Sequence, residues 1–140
     1  MAKHLTINTD GGARGNPGPA GSGVVIRDHT GKIVHQYKEF LGSATNNVAE
    51  YTALIRALET AKSLGGTDLH INMDSELIVK QMQGSYKIKE PTLQKLATEV
   101  IKLKSNFASV SFTHVRRELN SDADRLVNEA IDEATGLSAY

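Results

Sequence analysis

The sequence predicts an α/β fold: a five-stranded mixed sheet of order 3-2-1-4-5, flanked by helices. Three observations carry this. The first forty residues hold three strand-like runs joined by short turns, which makes an antiparallel meander. From Asn47 onward, segments of helical period alternate with short alternating runs, the mark of crossover units. The long helix after strand three can return strand four parallel to strand one and beside it, so the order 3-2-1-4-5 is the economical solution.

His4–Asp10 alternates, with Leu5, Ile7 and Thr9 on one side and His4, Thr6, Asn8 and Asp10 on the other. Gly11–Gly23 is rich in Gly and Pro and reads as a turn-rich connection. Val24–Asp28 is the second strand, Asp28-His29-Thr30-Gly31 a turn, and Ile33–Leu41 the third strand. A helix over about Asn47–Leu64 places Val48, Tyr51, Ile55 and Leu58 on one stripe and stops at Gly65-Gly66. Leu69–Asp74 alternates again, and Ser75–Met82 is a short helix ended by Gly84. Pro91 opens a helix over about Thr92–Lys104, Val110–Val115 is the fifth strand, and Asp122–Ala134 is the last helix. With no repeat or linker, residues 1–140 are expected to form a single domain.

Composition closes several routes. The chain has 140 residues, no cysteine and no tryptophan. Disulfide scaffolds, zinc ribbons and thiol nucleophiles are excluded, and the missing thiols fit a reducing, cytoplasmic setting. MAKHLTINTD lacks the apolar core of a secretory signal, and no apolar run approaches the ~20 residues of a membrane span. Sixteen Lys and Arg balance sixteen Asp and Glu, which argues against a strongly basic coat. The balance is uneven: residues 80–104 hold six Lys against two acids, and residues 118–133 six acids against one Arg. The first could meet phosphate and the second hold cations, but from charge counts alone two solvated helix faces are the preferred reading.

Four acids stand out. Asp10 and Asp74 end the polar faces of strands one and four, which the predicted order makes parallel neighbours at the point where the winding reverses. Ligands bind outside the carboxyl ends of strands at such a point. Two close carboxylates repel unless a proton or cation intervenes, and hard divalent cations prefer such oxygens. Taken alone, Asp10 also suits a turn and Asp74 a helix N-cap. Glu50 opens a largely apolar helix face, but Asn47-x-x-Glu50 resembles a capping box, as does Ser121-x-x-Asp124.

Together the motifs resemble type 1 ribonuclease H, in a compact form. Thr9-Asp10-Gly11-Gly12-Ala13-Arg14-Gly15-Asn16-Pro17-Gly18-Pro19-Ala20-Gly21 is similar to the family's opening signature. Thr45-Asn46-Asn47-Val48-Ala49-Glu50-Tyr51, Met73-Asp74-Ser75-Glu76-Leu77 and Asn120-Ser121-Asp122-Ala123-Asp124-Arg125-Leu126 follow in family order. The resemblance implies a ribonuclease H-like fold and an endonuclease that cuts the RNA strand of an RNA/DNA hybrid, leaving 5′-phosphate and 3′-hydroxyl ends. It places the metal ligands and catalytic acids on Asp10, Glu50, Asp74 and Asp124. These would hold two Mg²⁺ ions ~3.5–4 Å apart, or Mn²⁺ in their place. It implies that Asp10 bridges both ions and Asp74 shares them, that Glu50 lies near the scissile phosphate, and that Asp124 serves the ion activating water. Gly11, Gly12, Asn46, Glu50 and Glu76 would read the RNA 2′-hydroxyl. Asn16 and Thr45, aided by Arg14, would hold a DNA phosphate, with Asn47 near that strand. A monomer without protein partner or membrane contact is expected.

Three departures from some relatives matter. The long basic insertion after the third motif is reduced to Gln83–Pro91, where Tyr86, Lys87 and Lys89 are either a remnant grip or a solvated loop. The loop before the fourth motif lacks a histidine, and Arg117 is its stand-in or a plain surface charge. Glu76 adds negative charge after Asp74-Ser75. Rival readings are a nuclease that also cuts double-stranded RNA and a catalytically weak hybrid-binding module.

Overall fold

The computed structural model describes residues 2–84 and 87–136. Tyr86, one of the residues weighed as a remnant grip, lies outside them. The strands are β1 (His4–Ala13), β2 (Gly18–Arg27), β3 (Ile33–Ala44), β4 (Asp68–Met73) and β5 (Ser109–His114). The helices are α1 (Asn46–Ser63), α2 (Glu76–Met82), α3 (Pro91–Lys104) and α4 (Ser121–Thr135). A 3₁₀ turn over Arg117–Asn120, which the sequence pattern did not announce, leads into α4.

The sheet order is β3-β2-β1-β4-β5, as expected. β1 pairs antiparallel with β2 and parallel with β4, and β4 pairs parallel with β5. Leu5, Ile7, Leu69, Ile71 and Met73 alternate inward against Tyr51, Leu54 and Leu58 of α1 and Val100 of α3 in one buried core.

The glycine-rich segment departs from expectation. Gly11–Gly23 is mostly strand, because β1 runs on to Ala13 and β2 begins at Gly18. The reversal occupies only Arg14–Pro17, with Gly15 at φ +93°. The glycines serve close packing. A Cβ at Gly11 would lie 2.2 Å from the Ala49 carbonyl carbon of α1, and one at Gly23 would lie 2.4 Å from the Ala123 oxygen of α4. A Cβ at Gly12 would instead face Val127 of α4. Since successive strand residues point to opposite faces, α1 and α4 cover opposite sides of the sheet. Both helices seat tightly because the strands beneath them lack side chains at these positions.

Candidate active site

The β1–β4 register ends at Thr9 beside Met73, so Asp10 and Asp74 emerge as neighbours at the carboxyl ends of two parallel strands. Glu50 joins them from the first turns of α1, seated directly over Gly11. Ligand oxygens of Asp10, Glu50 and Asp74 lie within 4.8 Å of one another. Asp10 and Glu50 are each only 6% exposed.

None of the three capping alternatives holds. Thr45 caps α1, its Oγ1 accepting the Val48 N–H at 3.2 Å. Glu50 instead accepts the Gly11 N–H at 2.6 Å, a bond from the neighbouring strand. Ser75, not Asp74, caps α2 through the Ile78 N–H at 3.3 Å. Asn120 occupies the N-cap of α4 and makes no side-chain cap bond, so Ser121 and Asp124 form no box.

Burying like charges together has an electrostatic consequence. Burial, with the Glu50 and Asp74 charges beside it, pushes Asp10 up to about 10. Burial lifts Glu50 to about 7 against the opposing bonds from Asp10 and the Gly11 N–H. Asp74 is raised by burial too, with the Arg117 charge pulling the other way. Buried acids pushed toward their protonated forms make a site that a cation would relieve. The donors are all hard carboxylate oxygens, the set that Mg²⁺, Mn²⁺ and Ca²⁺ favour, so the residues fit a divalent ion.

The acids open into a cleft of about 560 Å³, which Asp124 also lines, from one turn inside α4. Asp124 stands outside the close group of three, and its Oδ1 lies 3.6 Å from Nη2 of the largely exposed Arg117. Gly11, Gly12, Arg14, Asn46, Asn47 and Arg117 line the cleft with the acids.

Asn16, Thr45 and Glu76 do not line it, for separate reasons. Thr45 is spent on its cap, and Asn16 accepts the Asn46 N–H at 3.1 Å, bracing the loop before α1. Glu76 starts α2 and borders a second cleft with Lys80 and His114. Arg14 is already engaged, donating to Asp132 and, at 3.2 Å, to Asn128 of α4. Asn46 directs its side-chain oxygen to the Ala13 N–H at 2.6 Å, leaving its NH₂ as the donor it offers the cleft. Ser75 and Asn128 also line the cleft and were not singled out in the sequence. Asn128 was findable, since it lies one helical turn beyond Asp124.

Comparison with known proteins agrees with this geometry. Residues 8–130 match the family model described as reverse transcriptase-like. The solved structure of LC11-RNase H1 in complex with an RNA/DNA hybrid superposes with a TM-score of 0.90 at 51% identity, covering 94% of this chain and 99% of that one. Ribonuclease HI of Halobacterium salinarum is 44% identical over 125 residues, 89% of this chain and 63% of its own length. The bifunctional protein Rv2228c of Mycobacterium tuberculosis is 45% identical over 137 residues, 96% of this chain. This chain spans only 37% of that longer protein.

Proposed function

This chain belongs to the type 1 ribonuclease H family, and from that premise we propose that it is a metal-dependent endonuclease hydrolysing the RNA strand of RNA/DNA hybrids. The observation that carries the reading is the meeting of Asp10, Glu50 and Asp74 from three separate elements, within 4.8 Å of one another and facing an open cleft. Asp10, Glu50, Asp74 and Asp124 would hold two Mg²⁺ ions, with Mn²⁺ as a substitute. When bound, such ions neutralise the phosphate, generate a nucleophile from water and stabilise the leaving oxygen.

The protein's own groups do the rest. Asp10 lies within reach of both Glu50 and Asp74 and would help each of them hold an ion. The Gly11 N–H fixes the Glu50 carboxylate, so its second oxygen can face the scissile phosphate. Bare backbone at Gly11 and Gly12 and the NH₂ of Asn46 are the groups that a ribose 2′-hydroxyl would meet, and that hydroxyl separates RNA from DNA. Arg14, Asn47 and Arg117 contribute polar contacts along the cleft wall without reading base sequence. A cytoplasmic setting, a single domain over residues 1–140 and a monomeric state belong to the same reading.

The test is a substrate panel. End-labelled RNA/DNA hybrid, double-stranded RNA and double-stranded DNA are incubated with Mg²⁺, Mn²⁺ or EDTA, beside Asp10→Asn. Metal-dependent cuts confined to the hybrid RNA, and lost in the variant, are expected. Equal cutting of double-stranded RNA would overturn the specificity. A folded protein that binds hybrid and cuts nothing would make it a binding module.

A further inference from the structure

Three of the four acids stand on the rigid centre of the fold, on β1, on α1 and just past β4. The fourth, Asp124, depends on how α4 is set against the sheet. The contact nearest its start is a pair of buried amides. Asn120, 1% exposed, donates from Nδ2 to the Thr9 carbonyl at 2.9 Å. Its Oδ1 accepts from Nδ2 of Asn8, 7% exposed, also at 2.9 Å. The Asn8 Nδ2 also lies 3.5 Å from the Leu119 carbonyl. The two side chains therefore bolt residues 8 and 9, immediately before Asp10, to residues 119 and 120, one turn before Asp124.

The arrangement sacrifices something local. Asparagine is among the best N-cap residues, and Asn120 holds that position in α4. Its side chain nevertheless makes no capping bond, because both ends are turned inward to β1. A buried amide pair is strongly directional, since leaving either partner unpaired is costly. It is buried and sets distance and rotation together, whereas the close seating of α4 over Gly21 and Gly23 sets distance, and the Arg27–Asp122 ion pair to β2 is partly exposed. Neither amide lines the cleft, so neither can touch substrate.

We infer that Asn8 and Asn120 are positioning residues: their amide bridge fixes Asp124 relative to Asp10, and so sets the affinity of the site for its divalent ion. This rests on the four acids being a metal site. Groups that orient ligands from behind typically carry tenfold or more of metal affinity.

The test measures ion binding without substrate. Calorimetric titration with Mn²⁺ and with Mg²⁺ is run on the wild type, Asn8→Ala, Asn120→Ala and the double variant. Val100→Ala, a core truncation in α3, controls for lost stability. The expected result is a binding constant weakened about tenfold in Asn120→Ala, which loses both bonds, less in Asn8→Ala, which keeps the bond from Asn120 to the Thr9 carbonyl, and no further in the double than in Asn120→Ala. The metal midpoint of hybrid cleavage should rise in step, with KM for hybrid within about twofold. The control should lose thermal stability and keep its ion affinity. Variants that melt earlier but bind both ions like the wild type would make the pair purely structural and overturn the inference. A wild type that binds neither ion would overturn the metal-site reading itself, which is a separate outcome.

Discussion

Replacing Asp10 by Asn should make the metal-free protein more stable. Aspartate ordinarily titrates at 3.8, and in the folded chain burial and three neighbouring acids push Asp10 up to about 10. The direction of the linkage follows. Below 3.8 the group is protonated whether folded or unfolded, and it costs nothing. As pH rises the unfolded chain ionises while the folded chain keeps its proton, so stability is lost progressively. At pH 7 the loss is capped by the work of protonating an ordinary aspartate there, about 4 kcal/mol. Asn retains an oxygen for the Gly11 N–H, which Asp10 Oδ1 accepts at 3.0 Å, and carries no charge. Asp10→Asn should therefore gain about 1–4 kcal/mol in urea denaturation with EDTA at pH 7. The advantage should shrink toward zero near pH 4. A hundredfold excess of Mg²⁺ over its Kd should narrow the difference by about 2.7 kcal/mol, because it stabilises the wild type by that amount. A variant no more stable than the wild type in EDTA at pH 7, or a gain that ignores pH, would refute the reasoning.

Ion binding should also release protons. With Asp10 near 10 and Glu50 near 7, about one proton or more leaves per site at pH 7, and affinity rises with pH through that range. Titration in buffers of different ionisation enthalpy counts them, and zero release would contradict the raised values. Gly23→Ala should cost about 1–3 kcal/mol in denaturation, because the added Cβ meets the Ala123 carbonyl and must lift α4. Arg117→Ala should shift stability by less than about 1 kcal/mol, since its pair with Asp124 is exposed. If Arg117 grips hybrid phosphate, the same variant flattens the salt dependence of KM; an unchanged slope would leave it a surface charge.

Much of this molecule was legible in one dimension. Period-two runs at Leu5–Thr9 and Leu69–Met73, the stripe of α1 and the stop at Gly65 are local signals that tertiary packing only reinforced. The order 3-2-1-4-5 followed from connection lengths, and Asp10 beside Asp74 followed from the order. The resemblance of four motifs to type 1 ribonuclease H brought Glu50 and Asp124 to the same place.

Other features were decided by contacts between distant segments. The glycines of β1 and β2 look like turn residues in sequence, and only the helices above them reveal packing. A capping box is a pattern of residue types, and Asn47-x-x-Glu50 satisfies it; in the fold Thr45 is the cap, and Glu50 meets the Gly11 N–H across 39 residues. Asn8 and Asn120, 112 residues apart, read separately as a polar strand position and as the first residue of the fourth motif. Hydrogen bonds of that range leave no periodic trace. The sequence by itself determined which elements form, their order and which acids end the central strands. The tertiary structure alone decided which polar groups those acids and amides would face, because burial and direction exist only once the elements have met.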